Sequence, residues 1–523
     1  MKVSSERRGG AASGWRAAEI GVVGLAVVLK LIYAGRVELM PEEAYYWNYA
    51  QHLDIGYLDH PPMIGWLIAA GTAAFGDNPF GVRIGALCCG AIASVFIYRL
   101  TRDMFGETSG LVAVVLAQTL PFFFLTGILM TPDAPLTAAW AGALYFLYRA
   151  LIEDRARAFS GVGLCLGLGL LSKYTIALLG FSTLVFMIID ARSRRWLKRF
   201  EPYAAVLLAA VIFSPVIAWN ARNDFASFAF QTSRRLADRP QFALPKLIGS
   251  VLVLLTPTGA IAAARELLRN NAPSAHEEVD AGAEASSGAQ APVGVERQRG
   301  WRFMQVAVLT PLAVFALFSL RHEVKLDWTG APWIASLPAL AAGIEHSLYT
   351  TGKAIRRAWA PTVIAVLLLY GVGLFYLTCG IPGVGYGRHA ELVPVGWREL
   401  GRDVGAIAGD IARRTGTDPL IVGMDRYAIA SELAFYLPDR AKAVSETTSA
   451  HLFGQVGLMY ERWFPAAAQS GRQLLLVAWN PADLSDRALR EHVERLEPIQ
   501  QGLLMRDRQL IRPFYYRAAY GFH

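Results

Sequence analysis

Residues 39–66 read LMPEEAYYWNYAQHLDIGYLDHPPMIGW. An apolar helical stretch precedes them and another follows. Yet these residues carry four carboxylates, two histidines, four tyrosines and two tryptophans. Pro41 suits a first helical position, with Glu42 and Glu43 in a first turn where the helix dipole favours carboxylates. The Tyr and Trp rings suit the headgroup layer of a membrane. Asp59, His60, Pro61 and Pro62 form a rigid elbow, because proline fixes φ and restricts the residue before it. One reading is an interfacial helix with solvated charges. The sharper one is an acidic catalytic loop held at a membrane surface.

The surrounding chain favours a membrane. Of 523 residues, 54% are hydrophobic and only 18% charged, and mean hydropathy is +0.34; a soluble chain of this length would carry more charge. Apolar runs near the ~20 residues needed to span a bilayer recur at 19–35, 83–100, 109–127, 136–151, 159–172, 174–190, 203–219, 246–264, 302–320, 332–347 and 359–379. The first lacks a small-residue cleavage pattern and reads as a retained helix. The expected fold is therefore an α-helical polytopic membrane protein of about eleven spans.

Lys and Arg concentrate in alternate loops at 99–103, 149–157, 192–199, 265–302 and 353–357. The positive-inside rule makes these cytoplasmic, and puts the opening loop, the Asp133 break, the Arg234 loop, the Lys325 loop and the C-terminus outside. The net charge of +8 thus speaks to topology and anionic lipid, not to nucleic acid. Residues 270–300 turn to Ala, Gly, Ser, Pro and Glu, and read as a disordered cytoplasmic linker. After residue 380 the pattern becomes that of a small extracytoplasmic α/β domain, 381–523. It has helices near 397–414, 427–436 and 484–496, strands near 419–424 and 473–478, and a sheet of three or four strands. The organisation is then a transmembrane catalytic part, 1–380, containing an outer catalytic loop, 36–82, followed by the α/β domain. Cys88, Cys89, Cys165 and Cys379 lie in or beside apolar segments and show neither metal-ligand nor disulfide spacing.

Ionisable residues are costly in a bilayer, and here they gather toward one face. Glu42, Glu43, Asp59 and His60 stand in the first loop, Asp133 in TPDAP and Lys173 in LSKYT. Arg234 and Arg235 follow in a long loop, and Lys325 and Asp327 in RHEVKLDWTGAPW. Singly, each has a plainer reading: Asp133 as a helix cap, Lys173 as a snorkelling cation, Arg234 and Arg235 as lipid contacts. Together, acids able to take a hydroxyl proton and cations able to hold a phosphate suit transfer of a group from a phosphate leaving group. No carboxylate–histidine metal motif is visible. No cofactor is implied, and a divalent cation is optional.

In order, PEEAYYWNYAQHLDIGYLDHPP (41–62), TPDAP (131–135), GLGLLSKYT (167–175), KLDWTGAPW (325–333) and YAIASELAFYLP (427–438) resemble the bacterial glycosyltransferase family 39 group. That group includes the lipid A aminoarabinose transferases and is related to the protein O-mannosyltransferases. The resemblance implies a GT-C fold in a bacterial inner membrane and a polyprenyl-phosphate-linked sugar donor used at the outer face. The transfer implied is inverting, onto a lipid A, polysaccharide or protein acceptor. The family's first acidic pair is usually Asp-Glu, and here it is Glu42-Glu43. Asp59-His60 stands where the aminoarabinose transferases have a carboxylate followed by Lys, so a phosphate contact through His60 would depend on pH. Glu42 or Asp59 is then the base, with Glu43 shaping the loop. Asp133 binds sugar hydroxyls or orients a cation, and Lys173, Arg234, Arg235 and Lys325 are phosphate candidates. The competing function is a transporter or flippase of lipid-linked sugars, which would favour ionisable groups near the bilayer midplane and repeated halves.

Overall fold

The computed structural model describes residues 2–234, 240–273, 291–350, 353, 355–381, 384–386 and 393–523. The chain is mostly helical. Among the described residues six helices are long and apolar enough to cross a membrane: Trp15–Arg36, Pro79–Phe105, Glu201–Arg222, Leu244–Leu267, Gly294–Ser319 and Arg357–Cys379. A helix satisfies its own backbone groups, which hydrocarbon cannot do for it. This is a multi-span membrane protein.

The other apolar runs are shorter or broken, and the breaks have local causes. Pro121 forces Leu120 into extended backbone, separating the helices Glu107–Thr119 and Pro121–Thr126. Lys173 is extended (φ −158°, ψ 132°) between the helices Ala158–Leu170 and Ala177–Ile189. Gly163 and Gly167, four residues apart, let Ala158–Leu170 lie close against Glu201–Arg222. A Cβ at Gly163 would stand 2.6 Å from the Ala205 carbonyl oxygen. Of the linker expected at 270–300, residues 274–290 lie outside the described residues. Residues 291–300 are not disordered: they open the helix Ala291–Ser319.

The chain divides into two compact units, Met1–Leu31 with Gly85–Tyr370, and Ile32–Ile84 with Gly371–His523. The second unit holds a six-stranded sheet, larger than the three or four strands expected. Its strands are β1 Leu420–Gly423, β2 Thr447–Ser449, β3 Leu474–Ala478, β4 Val493–Leu496, β5 Gln500–Arg506 and β6 Gln509–Phe522. The order is β2-β1-β3-β6-β4 with β5 on β6. β2, β1 and β3 run parallel, while β6 is antiparallel to β3, β4 and β5. The helix expected at 484–496 is only Arg487–Glu491, and Val493–Leu496 becomes β4 instead. β1 and β3 are apolar and buried throughout, as central parallel strands are.

In this unit the opening loop packs on helices of the sheet domain. The helix Ala428–Tyr436, which follows β1, packs on the helix Pro41–Gln51 of the loop. Buried Glu38 accepts from the backbone N–H of Trp397 at 2.7 Å and pairs with Arg506 of β5, which also holds Glu399 at 2.6 Å. Leu39 N–H donates to the Tyr436 hydroxyl at 2.8 Å.

Candidate active site

Pro41 begins the first-loop helix, and Glu43 secures its start by accepting from Met40 N–H at 3.0 Å. Glu43 is wholly buried. Arg83 donates to its carboxylate from Nε at 2.9 Å and Nη2 at 2.6 Å, and to the carbonyls of Val37 and Glu38, each at 2.7 Å. One guanidinium thereby ties the entry of the loop to its exit, a role for which its planar fork of donors is suited.

Asp59 is buried against the same helix. Tyr49 and Tyr45 donate their hydroxyls to its Oδ1 at 2.5 and 3.0 Å. Four residues apart, the two tyrosines lie on one helix face, so a single turn delivers both hydroxyls to the elbow. Tyr49 stacks on Tyr57 with ring centroids 3.8 Å apart, and Tyr45 packs at 4.9 Å against Tyr427 from the sheet side of the unit. Met459 N–H donates to the Tyr45 hydroxyl at 3.2 Å. Burial pushes the Asp59 carboxyl above its usual range, while the bonds from Tyr49 and Tyr45 pull the other way. Glu42 is exposed, and the Tyr427 hydroxyl reaches it at 3.4 Å. His60 stands edge-on to Tyr46 at 5.6 Å.

The unit made of Met1–Leu31 and Gly85–Tyr370 holds a second constellation. Lys173 Nζ donates to both carboxylate oxygens of Asp133 at 2.9 Å and to Asp327 at 2.7 Å. Asp133 opens the helix Asp133–Leu151 without capping it; its side chain is turned to the lysine. Burial works against the Lys173 charge, but the two carboxylates more than offset it and hold its pKa well above the usual lysine range. The Asp133 side chain is 10% exposed and that of Asp327 39% exposed. Burial, with the like charge of Asp327, therefore raises the Asp133 carboxyl, and the better-hydrated Asp327 stays ionised beside Lys173. TPDAP, LSKYT and KLDW, far apart in sequence, meet at one ammonium.

The remaining expected residues are less engaged. Lys325 is exposed, Arg234 ends the short helix Phe230–Arg234, and Arg235 lies outside the described residues. Among the described residues no three His, Cys, Asp or Glu side chains gather closely enough to hold a metal ion. Sequence reasoning passed over Arg83, Asp327 as an ion partner, and the residues around Tyr427. A lone arginine in the first turn of an apolar span was the available signal for Arg83. Asp327 stood in a motif already singled out, two residues from the lysine preferred to it.

Residues 59–219 match a family model described as dolichyl-phosphate-mannose-protein mannosyltransferase. The lipid A galacturonosyltransferase RgtD of Rhizobium johnstonii is 31% identical over 186 residues, 35% of this chain and 38% of RgtD, so the chain spans little more than a third of that relative. The lipopolysaccharide core galacturonosyltransferase RgtA of the same organism is 26% identical over 70% of this chain and 73% of RgtA. In fold, the chain is similar to ArnT from Cupriavidus metallidurans, solved in the apo state and bound to undecaprenyl phosphate. The TM-score is 0.60 at 15% identity, covering 97% of this chain and 98% of ArnT. The matched stretch begins at Asp59 and takes in Asp133 and Lys173, and the likeness to ArnT over nearly the whole of both chains shows a shared fold.

Proposed function

We propose that this protein is an inverting membrane glycosyltransferase. It takes a sugar from a polyprenyl-phosphate donor and delivers it to an envelope acceptor, lipid A or the lipopolysaccharide core by analogy with RgtD and RgtA. The likeness to an ArnT solved with undecaprenyl phosphate supports the donor class. Positive charge in alternate loops supports eleven spans in an inner membrane, with the first loop and the sheet outside. The relatives are transferases, which supports transfer over transport.

The observation that carries the mechanism is the contrast among the three first-loop acids. Glu43 is committed to Arg83, and Asp59 to two buried hydroxyls. Glu42 is exposed, with one long contact from Tyr427, so it is the carboxylate with reach to an acceptor. In the reaction the acceptor oxygen bonds to the anomeric carbon as its proton passes to Glu42. The bond from that carbon to the phosphate oxygen breaks, and polyprenyl phosphate leaves with the electron pair. With a second pKa of about 6, the phosphate leaves without protonation. Asp59 fixes Tyr45 and Tyr49, Glu43 shapes the loop, and Asp133 and Lys173 brace the other unit. Lys325, Arg234 and Arg235 remain phosphate candidates, with His60 a pH-dependent one. No cofactor enters these steps.

The test is release of free polyprenyl phosphate from a polyprenyl-phosphate uronosyl donor in the presence of lipid A, using protein purified in detergent. E42Q is expected to lower kcat by about 10²–10⁴, the usual contribution of a general base. Full activity in E42Q removes Glu42 from that role. Absence of release by the unaltered protein with uronosyl and aminoarabinosyl donors alike overturns the transferase reading.

A further inference from the structure

Arg426 lies just past the carboxyl end of β1, the central strand of the parallel set β2-β1-β3. That edge is where α/β sheets hold their ligands. Both neighbours of Arg426 are pinned. The Asp425 carboxylate accepts from Ile429 N–H at 3.1 Å, and the Asp425 carbonyl accepts from Ala450 N–H at 3.2 Å. The Tyr427 hydroxyl reaches Glu42, and its ring packs on Tyr45. The backbone at 426 is thus fixed beside the first-loop acids. The Arg426 charge is felt by both Asp59 and Tyr427.

Other arginines around the first loop are occupied. Arg83 holds Glu43, and Arg506 holds Glu38 and Glu399. Arg440 donates to the carbonyls of Phe435 and Asp77. Arg426 is exposed and makes no ion pair or side-chain hydrogen bond among the described residues. An exposed arginine next in the chain to Tyr427, which reaches Glu42, leaves its fork of donors available to an oxyanion.

We propose that Arg426 binds the phosphate monoester of the polyprenyl carrier at the first-loop site, so that the sheet domain supplies a donor-binding residue. This rests on the transferase reading for its ligand, but its test does not need turnover. The probe is undecaprenyl phosphate, titrated onto the full chain in detergent, with Kd read by intrinsic tryptophan fluorescence. R426Q is expected to weaken binding about ten- to a hundredfold, the range for losing one or two charge-assisted bonds. R426K, a point charge without the fork, is expected to recover part of it. Because Arg426 is exposed, R426Q should melt with the unaltered protein. A Kd in R426Q equal to that of the unaltered protein overturns the proposal and leaves transfer intact. A Kd contrast in a protein that transfers no sugar overturns the transferase reading and leaves this contact standing.

Discussion

Asp59 and Asp133 are equally buried, each 7% exposed, and the protein stabilises them by opposite means. Asp133 meets a full positive charge, Lys173, shared with Asp327. Asp59 accepts from two neutral hydroxyls, those of Tyr45 and Tyr49. A charge partner answers the desolvation cost with Coulomb energy and fixes the geometry of everything that carries it. Neutral donors answer it only in part, and both carboxyls stand above their usual range. The first arrangement suits a brace joining distant segments. The second suits an elbow held against one face of a helix.

Breaking the brace should have the larger effect. K173M leaves Asp133 and Asp327 facing each other without a cation, and removing one member of a buried pair costs about 3–5 kcal/mol. Thermal unfolding in detergent should show it as a marked drop in midpoint. Combining K173M with D133N and D327N removes the stranded charges, and should return much of the loss. A K173M protein that melts with the unaltered one would show that the triad braces nothing.

The cage should respond more gently. Y49F deletes the shorter of the two bonds to Asp59, with an expected loss of about 1.5–3 kcal/mol for a hydrogen bond to a charged group. That bond favours the ionised form, so its loss raises the Asp59 pKa further. Infrared difference spectra should show the protonated carboxyl band of Asp59 persisting to higher pH in Y49F than in the unaltered protein, and Y45F should shift it less. An unchanged or lowered titration would mean that Asp59 is not governed by its tyrosines.

The acids and cations of both constellations were legible as residues, because charges in an apolar chain stand out. Their pairing was not. Lys173 reads alone as a phosphate ligand, and only folding brings it to partners 40 and 154 positions away. In the sheet domain β1 and β3 were legible as short apolar runs. The β5–β6 hairpin was not, since Pro513 interrupts β6 in the sequence while sitting opposite Leu503 in the fold. The loop's dependence on the sheet was equally hidden. Glu42, Tyr45 and Asp59 carry the motif, but Tyr427 and Met459, which hold them, come 385 and 414 positions after the residues they touch, and no local pattern links them.

The smallest effect concerns the ground on which Arg426 stands. Burial raises the Asp425 carboxyl to about 6, against the pull of the Ile429, Tyr427 and Ala428 backbone N–H groups. The folded pKa lies above the unfolded value near 3.9. This group's contribution to stability is therefore fully present below about pH 4, and is lost as pH rises through about 6. Asp425 keeps some contact with solvent, so the swing is modest, about 1–2 kcal/mol. Asparagine caps a helix about as well as aspartate and cannot ionise. D425N should therefore match the unaltered protein near pH 4 and melt higher at pH 8, with the difference opening around pH 6. Other buried acids titrate in both proteins and cancel in that difference. A gap that opens instead on acidification would mean that the cap needs its charge, and that Asp425, like Asp133, is held by attraction and not merely sheltered.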